Sequence, residues 1–315
     1  MTIGILYALL AGLLWGLVFI VPVLLPEYSG AMLSVARYLA FGIIALVIAT
    51  RSKAQLQQLQ KADWIEAAKL SLIGNLLYYG TLSAAIQLSD PPLPTMIIGA
   101  LPVVIAICAN FKDASLPWKR LAVPLLVIAI GIGAVNHEEL ARLQANGNLD
   151  IRKHLLGAML ALAAMLCWTW YPIRNSQWLR THPSHSSSTW ATAQGLMTLP
   201  LALIGYVLLL GWQFGHGKNL DTTLFFGQQP AKFIALMLAL GLLASWLGTL
   251  LWNKASQLLP TALAGQLIVF ETLAALLYTY LWRGSAPGLI TILGIALLIT
   301  GVTLGVRAFY GRPTE

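Results

Sequence analysis

Leu93-Pro94-Thr95 opens one long apolar run, and Leu259-Pro260-Thr261 opens a second one 166 residues later. Working outward from this pair, Pro117 precedes the next run and Pro287 precedes its counterpart, an offset of 170 that also sets Gly131 on Gly301. Towards the start, Trp15 falls on Trp168 and Ala36-Arg37 falls on Ala193-Gln194, offsets of 153 and 157. A slow drift of this kind arises when loops change length and helices do not. The second half of the chain therefore repeats the first, and fused repeats of membrane helices characterise transporter folds with a site at the repeat interface.

The composition agrees with a bilayer protein. Of 315 residues, 58% are hydrophobic and 10% charged, too apolar for an ordinary soluble domain. A span needs roughly 20 apolar residues, and ten candidates lie at 3–25, 29–49, 67–88, 92–111, 119–136, 155–178, 187–211, 232–254, 259–282 and 287–308. Their apolar runs do not alternate, which favours helices over barrel strands. The fold class expected is all-α integral membrane, ten transmembrane helices as two inverted five-helix repeats. The divisions are residues 1–136 for the first repeat, 137–154 for an extracytoplasmic connecting loop and 155–315 for the second repeat. The first span has no basic residue before Ile3 and is too long for a signal peptide, so it is expected to stay. Cys108 and Cys167 both fall within spans, one per half, which implies no disulfide framework.

The formal charge of +8 is a topology signal. Twelve basic residues fall on the side holding both termini and six on the other, with Arg37 inside a span. Both termini are therefore expected in the cytoplasm, and no nucleic-acid partner is implied. The polar connections 50–66, 137–154 and 212–231 are too short for a core of their own. Lys53–Lys61 is expected to form a short helix on the membrane surface. Gly12-x-x-x-Gly16 and Gly301-x-x-x-Gly305 would let neighbouring helices approach closely.

Catalysis finds no support. No second His follows His137-Glu138 at zincin spacing, and neither a Gly-x-Ser-x-Gly elbow nor a phosphate-binding glycine loop is present. His182 and His185 flank a proline in a Ser-rich loop and are weak metal candidates. No cofactor and no metal site is expected. Two charges sit well inside spans, where each demands a partner or water. Arg37 lies about 12 Å into the second helix at 1.5 Å per residue, and a structural, charge-pairing role suits it. Glu271 lies near the middle of the ninth. It either meets the amino group of a substrate or carries a proton, or else it pairs with backbone, Arg37 or a tyrosine hydroxyl.

Aromatic and amide side chains recur at helical spacing. Asn75, Tyr78 and Tyr79 share a face of the third helix, Trp168 and Tyr171 one of the sixth, and Trp246, Thr249 and Asn253 one of the eighth. Trp15 and Phe19 do so in the first. Such mixed faces suit a cavity for an amphiphilic or zwitterionic solute. The candidate substrate-binding set is Trp15, Asn75, Tyr78, Tyr79, Trp168, Tyr171, Trp246 and Glu271. Trp252, Trp282 and Tyr280 lie near helix ends and read as interfacial belt residues. Gln266 is five residues from Glu271, about 140° around a regular helix, so the two are not expected to face one site.

Ala11-Gly-Leu-Leu-Trp-Gly16, Leu33-Ser-Val-Ala-Arg-Tyr38 and the run Leu250-Leu-Trp-Asn-Lys-Ala255 through Leu259-Pro-Thr261 appear in order along the chain. With these motifs the chain resembles the drug/metabolite transporter superfamily, in its ten-helix branch of bacterial metabolite and amino-acid exporters. It departs where that branch often reads Glu-Pro, since Thr272 follows Glu271, and Leu281-Trp-Arg-Gly284 replaces Leu-Gly-Glu. The resemblance implies a central cavity lined by helices 1, 3, 4, 6, 8 and 9, alternating access, and export across the bacterial inner membrane. The first helix carries Trp15 and no acid, unlike four-helix relatives that exchange cationic drugs for protons. The expected function is export of a small amino-acid-like or amphiphilic metabolite, the partners being that solute and the lipid bilayer. An amino-acid-derived metal chelator or a drug-like compound is an alternative cargo, and a membrane-embedded enzyme or channel-like component is the alternative class. A monomer and a homodimer are equally compatible with the sequence.

Overall fold

A computed structural model describes residues 1–89, 92–113, 116–137, 151–215, 229–284 and 286–310. Most of the connection 137–154 and most of 212–231 therefore lie outside the described residues. Among the described residues ten helical rods follow one another: α1 (Thr2–Leu24), α2 (Gly30–Ala49), α3 (residues 61–89), α4 (residues 92–113), α5 (Trp118–Val135), α6 (Ile151–Thr181), α7 (Ser187–Gly215), α8 (residues 230–258), α9 (residues 261–283) and α10 (Leu289–Tyr310). A short turn of helix, Lys53–Leu56, precedes α3, so only the start of the expected surface helix forms. The third rod begins at Lys61 rather than 67, because Gln60 and Asp63 form a capping box with Gln60 N donating to Asp63 Oδ2 at 2.8 Å. Ser29 caps α2 by accepting from Met32 N, and Gly284 closes α9 in the left-handed conformation at φ 60°. Thr2 Oγ1 and the Tyr310 hydroxyl share a 3.0 Å hydrogen bond. The start of α1 and the end of α10 thus meet at one end of the bundle, as an even number of crossings requires.

Eight of the rods are long and apolar enough to cross a bilayer. The other two are α3 and α4, and each has a local cause. Lys61, Asp63, Glu66 and Lys69 crowd the first turns of α3, while α4 is interrupted between Pro92–Gly99 and Leu101–Asp113. Around the outside, Leu126, Ile130, Leu155, Leu162, Leu166 and Leu203 are exposed, as a lipid-facing surface demands.

The repeat is visible in the backbone itself. A π-helical segment, Ser71–Leu77, starts ten residues into α3, and another, Leu240–Leu247, starts ten residues into α8. The interruption of α4 at Ala100 has its counterpart at Ile268 of α9, where Glu271 N donates back to the Ile268 carbonyl at 2.9 Å. Packing obeys the same relation. The pairs α2 with α7, α4 with α9 and α5 with α10 map onto themselves when each helix is exchanged for the one five places on, and α3 against α6 maps onto α8 against α1. The glycines make the close approaches their spacing implies. A Cβ on Gly12 would lie 3.0 Å from Glu271 N, and one on Gly16 would lie 2.6 Å from Ala274 Cβ.

Candidate functional site

The two halves meet at a core of stacked rings. Trp15 of α1 and Trp168 of α6, equivalent by the repeat, pack edge to face with centroids 5.3 Å apart. Trp168 is stacked on one side by Tyr78 of α3 at 4.7 Å and on the other by Tyr171 at 5.0 Å. Trp252 of α8 closes on Trp15 at 5.3 Å. Two glycines make room for these rings. A Cβ on Gly74 would lie 2.2 Å from Tyr171 Cδ2, and one on Gly248 would lie 2.7 Å from Trp15 Nε1. Both lie in or beside a π segment, whose extra residue turns a smooth backbone patch towards the rings.

Arg37 and Glu271 are each only 5% exposed. The Arg37 guanidinium lies 5.0 Å from the Tyr38 ring centre and 4.9 Å from that of Tyr79, and its Nε donates to Ser245 Oγ at 3.1 Å in the π segment of α8. Its repeat partner Gln194 serves the other π segment. The Gln194 carbonyl accepts from Ser71 Oγ at 2.8 Å, and its side-chain oxygen accepts from the Tyr171 hydroxyl at 2.9 Å. Among the described residues Glu271 makes no direct ion pair, and its Oε2, the Arg37 Nη1, the Tyr78 hydroxyl and the Trp168 Nε1 are buried without hydrogen-bond partners. Gln266 points elsewhere, into the Cβ-free notch of Gly305 on α10, so the two acceptors of α9 do face apart as their spacing implied.

Towards the end holding the termini, the core is closed by a polar network. Asn175 Oδ1 accepts from Trp190 Nε1 at 2.8 Å and from Gln194 Nε2 at 3.3 Å, while Asn175 Nδ2 donates to Asn253 Oδ1 at 2.8 Å. Beside it, Arg174 grips Glu66 through two hydrogen bonds, with Nη2 at 3.0 Å from Oε2. Trp178 Nε1 donates to Asp63 Oδ1 at 3.1 Å, and His185 Nδ1 lies 3.6 Å from the same oxygen.

The histidines belong to this seal. His182 stacks on Trp178 at 4.3 Å and on His185 at 5.2 Å, with Trp190 beyond. No group of three or more metal-ligating side chains converges among the described residues. Burial pushes the His185 imidazole below its ordinary range, against the pull of Asp63 and with the help of His182. The folded protein therefore keeps His185 neutral where the unfolded chain, titrating near about 6.5, has begun to bind a proton. Stability from this group is complete above that pH and falls as acid is added. The melting temperature should drop between about pH 7 and about pH 5.5, and drop less in His185→Gln. Equal slopes in the two proteins would remove His185 from the account.

Of the candidate set, Trp15, Tyr78, Trp168 and Tyr171 form one stack, and Glu271 lies on α9 with its backbone against Gly12 of α1. Tyr79 joins Arg37 instead, in an edge contact with Tyr38 at 6.3 Å. Asn75 and Trp246 turn to α7, donating to Thr198 at 3.4 Å and to Thr192 at 3.1 Å. Trp252 requires a correction. It is 2% exposed and part of the stack, not a belt residue, because α8 runs on to Leu258, past the end expected for it. Trp282, 60% exposed, does sit at the surface. Asn175 and Trp190 went unnoticed, since a polar residue near a helix end reads as interfacial. The repeat offset that set Gln194 on Arg37 was the signal available for the network. Cys108 and Cys167 are both free thiols.

The chain is similar to known proteins. Inner membrane protein YtfF of Escherichia coli (strain K12) is 48% identical over 317 residues, spanning 99% of this chain and 98% of that protein. A solved structure, described as a crystal structure of a protein, superposes with a TM-score of 0.71 over 98% of this chain and 97% of that chain. At 14% identity it speaks for the fold alone. The EamA-like transporter family matches the chain twice, over residues 2–136 and 155–307. The duplicated match falls on the two halves that the π segments and helix interruptions reveal, and the chain belongs to the EamA-like transporter family of the drug/metabolite transporter superfamily.

Proposed function

We propose that this transporter is an alternating-access carrier that exports a small amino-acid-like or amphiphilic metabolite across the bacterial inner membrane, with both termini in the cytoplasm. The observation that carries the reading is the pairing of discontinuities. The π segments of α3 and α8 and the interruptions of α4 and α9 gather at the interface between halves, where carriers built from repeats hold their cargo. An aromatic core with scattered polar atoms favours a solute with an apolar body and a polar head. The excess of basic residues beside the termini, twelve against six, supports the orientation. The name of the Escherichia coli relative, an inner membrane protein, supports the location.

Counterflow in proteoliposomes tests the reading. Vesicles preloaded with a mixed pool of amino acids, their metal-chelating derivatives and amphiphilic drugs should take up one labelled compound faster than empty vesicles, and uptake should saturate. Flux that never saturates would favour a channel. Silence across the pool from folded protein would end the carrier reading for these cargo classes.

A further inference from the structure

We infer that the outer face of α3, where it meets α7, binds an anionic phospholipid of the cytoplasmic leaflet, Lys61 and Lys69 holding the phosphate head and the groove between the helices an acyl chain. The inference goes beyond the carrier reading and takes from it only the placing of this end of the bundle at the cytoplasmic surface.

The first turns of α3 divide into two faces. Lys61, Trp64, Ile65, Ala68, Lys69 and Leu72 recur at i, i+3, i+4, i+7, i+8 and i+11, one stripe of a helix. Asp63, Glu66, Ala67 and Leu70 form the other face, and all four are buried. The acids of that inner face are spent. Asp63 accepts from Trp178 Nε1 and Gln60 N, and Glu66 is held by Arg174. Between Tyr28 and Ser89 the sequence has no other acid. The outer face is therefore left with cations and no anion to match them. Lys61 makes no ion pair among the described residues, and Lys69 comes only within 3.9 Å of the Glu66 carboxylate, its own side chain 57% exposed.

Beside these lysines runs a groove of about 340 Å³, walled by Ile65, Ala68 and Leu72 on one side and by Met197 and Leu201 of α7 on the other. Ile65 and Leu72 are exposed, so the groove opens outward, to hydrocarbon. Trp64 borders it and also a second groove of about 440 Å³ under the turn Lys53–Leu56, where Lys53 adds a third cation. Basic pockets between helices at the cytoplasmic surface fit anionic head groups. Lys69 lies eight residues beyond Lys61, about 12 Å deeper along the axis, and must carry its ammonium back towards the surface. A phosphate between the two lysines meets both charges, and its chain fills the apolar wall. A zwitterionic lipid brings an ammonium of its own to compete with them, and a water-soluble anion leaves the groove empty.

The site is tested with full-length protein in a neutral detergent, by native mass spectrometry of bound dioleoyl phosphatidylglycerol and dioleoyl phosphatidylcholine. Wild type should hold the first phosphatidylglycerol at least about tenfold more tightly than phosphatidylcholine. Lys61→Gln combined with Lys69→Gln should weaken phosphatidylglycerol about 10- to 30-fold and leave phosphatidylcholine unchanged. The charge-matched control is Lys119→Gln with Arg120→Gln, exposed positions that line neither groove, and it should keep the wild-type preference. Ala68→Phe, which fills the groove, should weaken both lipids; where that variant fails to fold, the two charge pairs decide. Equal retention of the two lipids by wild type, or equal losses in the two charge pairs, would show a diffuse positive surface and overturn the site. Displacement of bound lipid by glycerophosphoglycerol, the head without chains, would overturn the groove. Binding is read without transport, so its failure leaves the carrier reading standing, and silent counterflow leaves the lipid site standing.

Discussion

Gly16→Leu should leave almost no folded protein. Helix α1 lies so near α9 that a single Cβ at this position would come within 2.6 Å of Ala274 Cβ, 2.9 Å of Ala275 N and 3.0 Å of the Ala274 carbonyl carbon. Two of those three atoms are backbone and cannot rotate away. In lipid no hydrophobic force pulls separated helices back together, so the contact surface lost is not regained elsewhere. Gly16→Ala should destabilise by about 1–3 kcal/mol, the usual range for overpacking a tight interface, and leucine by more. Because Trp15 precedes this glycine and Glu271 faces Gly12 one turn away, the displacement also pulls the ring stack away from the acid. Size-exclusion profiles and melting curves of the two variants check this, with Gly133→Ala as control, since nothing lies within 4 Å of a Cβ there. A monodisperse Gly16→Leu protein melting like wild type would show that the helices are not held this close.

Removal of Arg174 is the second large effect. Glu66 is almost wholly buried and receives both of its strong hydrogen bonds from that guanidinium, which is itself 38% exposed. In Arg174→Gln the carboxylate keeps only Lys69, 3.9 Å away and largely in solvent. Stripping one partner from a buried pair costs about 3–5 kcal/mol, and the exposure of Arg174 places this case near the low end, about 3 kcal/mol. Arg174→Lys restores the charge but not the two-pronged geometry and should recover only part. Glu66→Gln combined with Arg174→Gln should be more stable than Arg174→Gln alone, since no buried charge is left over. If the single and double variants melt together, the ion pair does not support this end of the bundle.

Much of the fold was legible in the residues. Apolar runs of the right length marked the helices, and the Leu-Pro-Thr pair with its drifting offsets marked the halves. The same offsets placed Trp15 on Trp168, and these two rings touch across the interface. Other features were hidden for a common reason, that regular helical phase was assumed. A π segment adds a residue to a turn, and Trp246, inside one, turns to α7, while Trp252 enters the stack on a rod that runs on to Leu258, past the end expected for it. The interruptions at Ala100 and Ile268 escaped because neither residue is a helix breaker, and Pro102 alone signalled the first. The charged turns of α3 read as a loop until Asp63 and Glu66 found Trp178 and Arg174, partners more than a hundred residues away. Long-range pairing of that kind leaves no local signature.

The two π segments also carry history. Each begins ten residues into its rod, one in either half. An irregular turn at the same place in both halves is what the doubling of a half-length gene already carrying it would leave. The side chains within the turns differ, Ser71 and Asn75 in one and Gly241 and Ser245 in the other. The backbone irregularity is shared where the chemistry is not, which makes the bend itself the part common to both halves.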